Sequence, residues 1–276
     1  MQWQGRRGST HVEDRRGMSG GGKLVGGGIG GIIVLVIALL FGGGDIGSIL
    51  NNMTGSTTSS VSDTPYQGSQ EEEELAQFVS VVLADTEDVW TQLFKEKGLT
   101  YEDPTLVLYN GSVQSACGTA GSSVGPFYCP GDHKLYIDLS FYDELKTKFQ
   151  APGDFAMAYV IAHEVGHHVQ TLLGTANMGA KQTNAQSVRT ELQADYFAGV
   201  WAHHAQDMNV LEQGDLEEAI KAASAVGDDT LQKKAQGYVV PESFTHGTSE
   251  QRMRWFKKGF DSGTIEGGDT FSAKNL

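Results

Sequence analysis

His163 and His167 stand four residues apart in the stretch YVIAHEVGHHVQT (159–171), with Glu164 directly after the first. On an α-helix, residues four apart lie on one face, so the two imidazoles present nitrogens to a single point. Glu164 lies one step round the helix, within reach of a proton on a water held at that point. Two histidines and a carboxylate base in this order form the HExxH pattern of zinc-dependent hydrolysis. With 8 histidines in 276 residues, a shuffled chain gives on the order of 0.01 such matches. The competing reading is an ordinary buried helix that contains histidines.

A catalytic zinc needs a third protein ligand and one open position for water. In HExxHxxGxxH the glycine and third histidine would fall at 170 and 173, where this chain has Gln170 and Leu173. That pattern is excluded. The alternative is a glutamate on a separate helix, as in gluzincin-type sites. ELQAD (191–195) lies 24 residues after His167, with Glu191 and Asp195 four apart on one predicted face. Glu191 would ligate zinc, and Asp195 would accept the remaining N–H of a ligand histidine and fix its tautomer. Read alone, the pair is a solvated helix face. Beside HExxH, the ligand reading is the better one.

His168 points away from the His163/His167 face and is spare. His203 and His204 are adjacent, cannot share one helical face, and are read as structural or surface residues. His246, in PESFTHGTSEQR (241–252), is the candidate donor to the oxyanion that forms as a carbonyl is attacked. Arg252 could orient a carboxylate or that histidine. The plainer reading makes His246 a loop residue and Arg252 an exposed charge.

Several elements must position these groups. Leu75, Phe78, Val79, Val82, Val89, Trp90 and Leu93 recur at helical spacing and predict a helix from about Glu71 to before Gly98. TLVLY (105–109), PFY (126–128) and KLYIDLSF (134–141) read as strands, with a turn at CPGDHK that leaves His133 solvated. The HExxH helix is expected from an Asp154 N-cap to about Gly174, followed by helices over 187–208 and 214–226. A last helix opens at a Thr248/Gln251 capping box. Together these predict an α-rich α+β domain over 71–260 with a small sheet, followed by a glycine-rich tail (261–276). KLYIDL is a candidate edge for an extended substrate.

The net charge of −14 is unevenly placed. Residues 1–23 carry +3 and the remainder −17, an acidic body that disfavours phosphate contacts and excludes nucleic acid as a partner. Residues 24–41 are the one long uncharged apolar run, 18 residues in length, at the lower edge of what spans a bilayer. The upstream arginines predict a single-pass anchor in the cell membrane. Residues 1–23 would then be cytoplasmic and the catalytic domain extracytoplasmic. A cleaved signal peptide is the rival, set aside because the run exceeds a usual signal core. Residues 42–70 have the composition of a flexible tether. The chain's two cysteines are Cys117 and Cys129. Export would permit a disulfide between them, while a reducing compartment would leave two thiols.

GPFYCPGD, AYVIAHEVGHHVQ, ELQADYFAGVW, GDDTLQ and PESFTHGTSEQR, in this order, together resemble the bacterial neutral zinc metallopeptidases, a membrane-anchored family with a zincin-like fold. The resemblance spans roughly residues 70–260 and includes the basic N-terminus with its apolar anchor. It implies that His163, His167 and Glu191 hold Zn2+ and that Glu164 is catalytic. The expected activity is hydrolysis of a protein or peptide by a zinc-activated water, with Glu164 as general base. The alternative is a catalytically silent, zinc-stabilised module tethered to the membrane for binding or assembly.

Overall fold

A computed structural model describes residues 1–18, 66, 68–175 and 182–276. The apolar run 24–41 and most of the tether lie outside these residues. Among the described residues no helix is long and apolar enough to cross a membrane.

The chain forms an α-rich α+β domain. Helix α1 (Gln70–Glu96) opens on a Ser69/Glu72 capping box with Glu71, Glu72 and Glu73 in its first turn, where carboxylates meet the positive end of the helix dipole. Strands β2 (Thr105–Tyr109), β5 (Phe127–Cys129) and β6 (Lys134–Asp138) fall close to the predicted segments. A fourth strand, β1 (Val12–Asp14), was not foreseen. The sheet order is β1-β2-β6-β5, with β1, β2 and β6 parallel and β5 antiparallel to β6. KLYIDL is therefore an interior strand, paired on both sides. Its expected role as a free edge is corrected, since its backbone groups are already spent in the sheet.

Alternation along β2 and β6 divides the core. Leu106, Leu108, Leu135 and Ile137 face the helices, while Val107, Tyr109 and Tyr136 face a hairpin of β3 (Ser112–Ser115) and β4 (Gly118–Gly121) that brings Val113 and Ala120. Cys117 at the hairpin turn is joined by a disulfide to Cys129 on β5, the pairing that the sequence permits.

The helices then follow: α2 (Phe141–Thr147), α3 (Asp154–Leu173), α4 (Asn184–Asp207), α5 (Asp215–Ala225), α6 (Asp228–Gln236) and α7 (Ser249–Ser262). Helix α3 carries HExxH and is buried along nearly its whole length. Gly153 rather than Asp154 occupies its cap, and Asp154 is its first residue. Helix α4 begins earlier than expected, at a Thr183/Gln186 capping box, and α7 opens at the Thr248/Gln251 box as predicted. Helix α6 was missed because DDTLQKKAQ is mostly polar and buries only Asp228, Leu231 and Gln232.

Both ends of the domain lie beyond the expected 71–260. Arg189 donates to the Phe271 and Ala273 carbonyls, Gln193 to the Gly268 carbonyl, and Thr270 is fully buried, so residues 261–276 are part of the domain and not a loose tail. Residues 1–18 are also built into it. Besides β1, Trp3 packs edge-on against Phe78, and Arg6 reaches buried Asp85 at 2.6 Å. The expectation of a basic N-terminal segment standing apart from the domain is corrected on that ground.

Candidate metal centre

Helices α3 and α4 meet at close range because Gly166 has no side chain. A Cβ there would lie 2.8 Å from the Ala194 carbonyl oxygen. That approach brings the HExxH face of α3 against ELQAD on α4. Nε2 of His163 stands 3.2 Å from one oxygen of Glu191 and Nε2 of His167 3.6 Å from the other. One ligand atom from each of the three residues lies within 4.8 Å of the others. All three residues are buried, as is Glu164.

The hydrogen bonds behind the imidazoles decide what this point can hold. His163 Nδ1 donates to Asp195 Oδ1 at 2.8 Å, and His167 Nδ1 donates to Gln170 Oε1 at 2.8 Å. With both Nδ1 protons committed, both neutral rings turn Nε2 lone pairs towards a carboxylate. Acceptors facing acceptors in a buried pocket need a cation between them. Two nitrogens and a carboxylate oxygen suit zinc with a fourth position open. The residues present fit the group that the sequence implied.

Asp195 is fully buried and is held from three sides. Arg252 donates to both of its oxygens, Nε at 2.8 Å and Nη2 at 2.9 Å, and the Tyr159 hydroxyl donates at 2.5 Å. Burial alone would raise the Asp195 pKa, but Arg252 and His163 hold it well below the usual carboxylate range. Burial would likewise lower His163, yet Asp195, with help from Glu191, pushes its pKa up to about 9. The pocket thus favours positive charge at His163, which a metal ion supplies in place of a proton. Burial dominates at Glu164 and raises its pKa.

Gln170 is itself fixed, with its amide nitrogen donating to the Thr190 carbonyl and to Gln193 Oε1. Neither Gln170 nor Tyr159 was singled out from sequence. Gln170 lies three residues after His167, a helical neighbour, and that spacing was the available signal.

His246 approaches from the segment before α7. Its backbone N–H and those of Thr245 and Gly247 all donate to Oδ2 of Asp228, at 2.7, 2.7 and 3.0 Å. Its Nδ1 lies 3.2 Å from Asp228 Oδ1. Burial tends to lower the His246 pKa, but the charges of Glu191 and Asp228 raise it overall. The ring is thus close enough to the Glu191 carboxylate to feel it. Asp228, the first residue of the unforeseen α6, is the further residue missed from sequence.

The remaining histidines lie elsewhere. His168 is fully buried between the Tyr128 hydroxyl and the Glu102 carbonyl, and burial pushes its pKa down to about 4. His133 stacks edgewise on it. His203 and His204 bond the Phe260 and Gly263 carbonyls at the end of α7. A second acidic group, Asp154, Asp215 and Glu218, already has a cation: the amino group of Met1 lies 2.7 Å from Asp154 and 3.4 Å from Asp215.

Residues 1–271 match the family described as "Putative neutral zinc metallopeptidase". The chain is 53% identical to the uncharacterized protein YpfJ of Escherichia coli K12, over 98% of this chain and 99% of that one. It is 45% identical to the uncharacterized protein Rv2575 of Mycobacterium tuberculosis H37Rv, over 64% of this chain and 65% of that one. No solved structure matches it.

Proposed function

Since the chain belongs to the neutral zinc metallopeptidase family, we propose that it hydrolyses peptide bonds in proteins or peptides at the His163–His167–Glu191 centre. One observation carries this reading. Two imidazoles whose Nδ1 protons are already committed face a carboxylate, beside a buried glutamate that has no part in holding the cation. His163, His167 and Glu191 would hold zinc, which supplies Lewis acidity and brings the pKa of a bound water down to about 7.

The chain's own groups do the rest. Glu164, adjacent to the first ligand and with its pKa raised by burial, takes the proton as water attacks the carbonyl carbon and delivers it to the departing amine. Asp195 and Gln170 hold the two imidazoles in the tautomer and orientation that leave Nε2 free. Arg252 and Tyr159 hold Asp195 in turn. His246, oriented by Asp228, donates a hydrogen bond to the oxygen that becomes negative in the transition state. An extended substrate pairs along β5, the edge strand of the sheet on the side that packs against α3. Contact with a lipid bilayer through the apolar run 24–41 completes the proposal.

A structural zinc site in a silent binding module has no use for Glu164. The full chain purified without added metal is expected to carry one zinc and to cleave an unfolded protein substrate. Glu164→Gln is expected to keep the metal and lose turnover, and Glu191→Ala to lose both. Undiminished cleavage by Glu164→Gln with its metal intact would sink the mechanism.

A further inference from the structure

We infer that residues 1–18 and the catalytic domain lie on the same side of any membrane the chain contacts, so that the apolar run 24–41 makes no net crossing. It rests on the bilayer contact proposed above and is independent of the chemistry at the metal centre.

The N-terminal segment is held to the domain along its length. Val12, Glu13 and Asp14 register in parallel with Leu106, Val107 and Leu108. The Leu106 N–H donates to the His11 carbonyl and the Arg15 N–H to the Leu108 carbonyl, both at 2.8 Å. Arg6 pairs with Asp85 at 2.6 Å, Arg7 with Asp88 at 2.8 Å, and the Ser9 hydroxyl donates to Glu87 at 2.5 Å. Arg16 bridges Asp14 at 2.7 Å and Glu73 on α1 at 3.0 Å. Arg15 pairs with Glu13, so each of the four arginines upstream of the apolar run has a carboxylate partner in this chain.

The two ends of the intervening segment also meet. The Arg16 guanidinium lies 5.2 Å from the centre of the Tyr66 ring, and the Tyr66 hydroxyl donates to Glu72 in the first turn of α1 at 2.8 Å. The chain thus leaves the domain and rejoins it at one place. A segment whose two ends share a side crosses a bilayer an even number of times. Between residues 18 and 66 the sequence holds a single run apolar enough to cross, 24–41, and the stretch after it is Gly-, Ser- and Thr-rich. One such run cannot supply two crossings, so the number is zero. Placing residues 1–18 on the far side would strip β2 of a partner strand and leave Asp85, 2% exposed, without its arginine.

The test uses the full chain in sealed cells. Thr10→Cys and Lys234→Cys each place a single thiol at an exposed position, the native cysteines being paired. A membrane-impermeant maleimide is expected to treat both alike, with labelling of both before permeabilisation or of neither until it. Labelling of one in intact cells, and of the other only after permeabilisation, overturns the inference. A zero-length carbodiimide crosslink between Glu13 and Lys134, 2.5 Å apart, is expected in the membrane-bound chain and absent from Glu13→Gln. Its absence from the membrane-bound wild type also overturns the inference. Fractionation of the same cells reports separately on the bilayer contact itself.

Discussion

Two neutral imidazoles owe their usefulness to hydrogen bonds on their far sides. HExxH names the nitrogens, but Asp195 and Gln170 decide which nitrogen is free. Glu191 and Asp195 were legible together because four-residue spacing puts both on one helical face. Gln170, Tyr159 and Asp228 were not. Each acts through a partner distant in sequence, and none has a spacing that marks it out from ordinary helix residues. His246 carries the sharpest residue-level expectation. His246→Ala is expected to lower kcat by about 10²–10³ with zinc content and KM little changed, read from steady-state kinetics on metal-loaded protein. Asp228, which fixes that loop, carries a pH signature. Burial would raise its pKa, but His246 and the surrounding backbone N–H groups lower it. A carboxyl depressed in the folded state contributes stability above its unfolded pKa of about 4 and loses it as pH falls through the folded value. The melting-temperature gap between wild type and Asp228→Asn is therefore expected to be full at neutral pH and to close on acidification below about pH 4.

At the scale of elements, the candidate metal centre is a consequence of how closely two helices approach. Glu191 sits on α4 one turn before Ala194, whose backbone is the contact for Gly166 of α3. Gly166→Ala forces the helices apart, with an overpacking cost of about 1–3 kcal/mol, and carries Glu191 away from the imidazoles. Lower thermal stability and weaker zinc retention are expected together. Gly174→Ala is the contrast. No atom lies within 4 Å of the added Cβ, and only its φ of +64° is strained, so stability is expected to fall while zinc retention holds. Helices with an apolar stripe or a capping box could be read from sequence, and α1, α3, α4, α5 and α7 were, α4 with a later start than it has. Strand β1 could not, because its three residues, VED, carry no alternation and find their partner only in β2. The β3–β4 hairpin and α6 were hidden for a similar reason: short, polar or glycine-rich segments acquire their structure from neighbours.

For the whole molecule, the sheet and helices form a single unit with the N-terminal segment and the C-terminal residues sealed to it. A chain lacking residues 1–18 is expected to melt lower than the full chain and to bind more of a hydrophobic dye, because Phe78 and the β2 edge lose their cover. Equal melting points would mean that the segment is only resting on the surface. Hydrophobic periodicity correctly gave an α-rich domain with a small sheet, and composition gave its acidic body. Domain limits were misjudged at both ends, since charge and glycine content describe a segment's exposure to water only when it has no complementary surface to meet. The Met1 amino group among Asp154 and Asp215 is such a meeting.

The parallel pairing of β1 with β2 also sets an order of events during synthesis. Residues 12–14 leave the ribosome early, yet their hydrogen-bonding partners at 106–108 follow only after the apolar run and all of α1. Until then this strand has nothing to pair with, and closing so long a loop carries an entropic cost before any contact rewards it. The first residues made are thus among the last to find their place, and whatever receives the apolar run must do so while the N-terminal segment is still unbound.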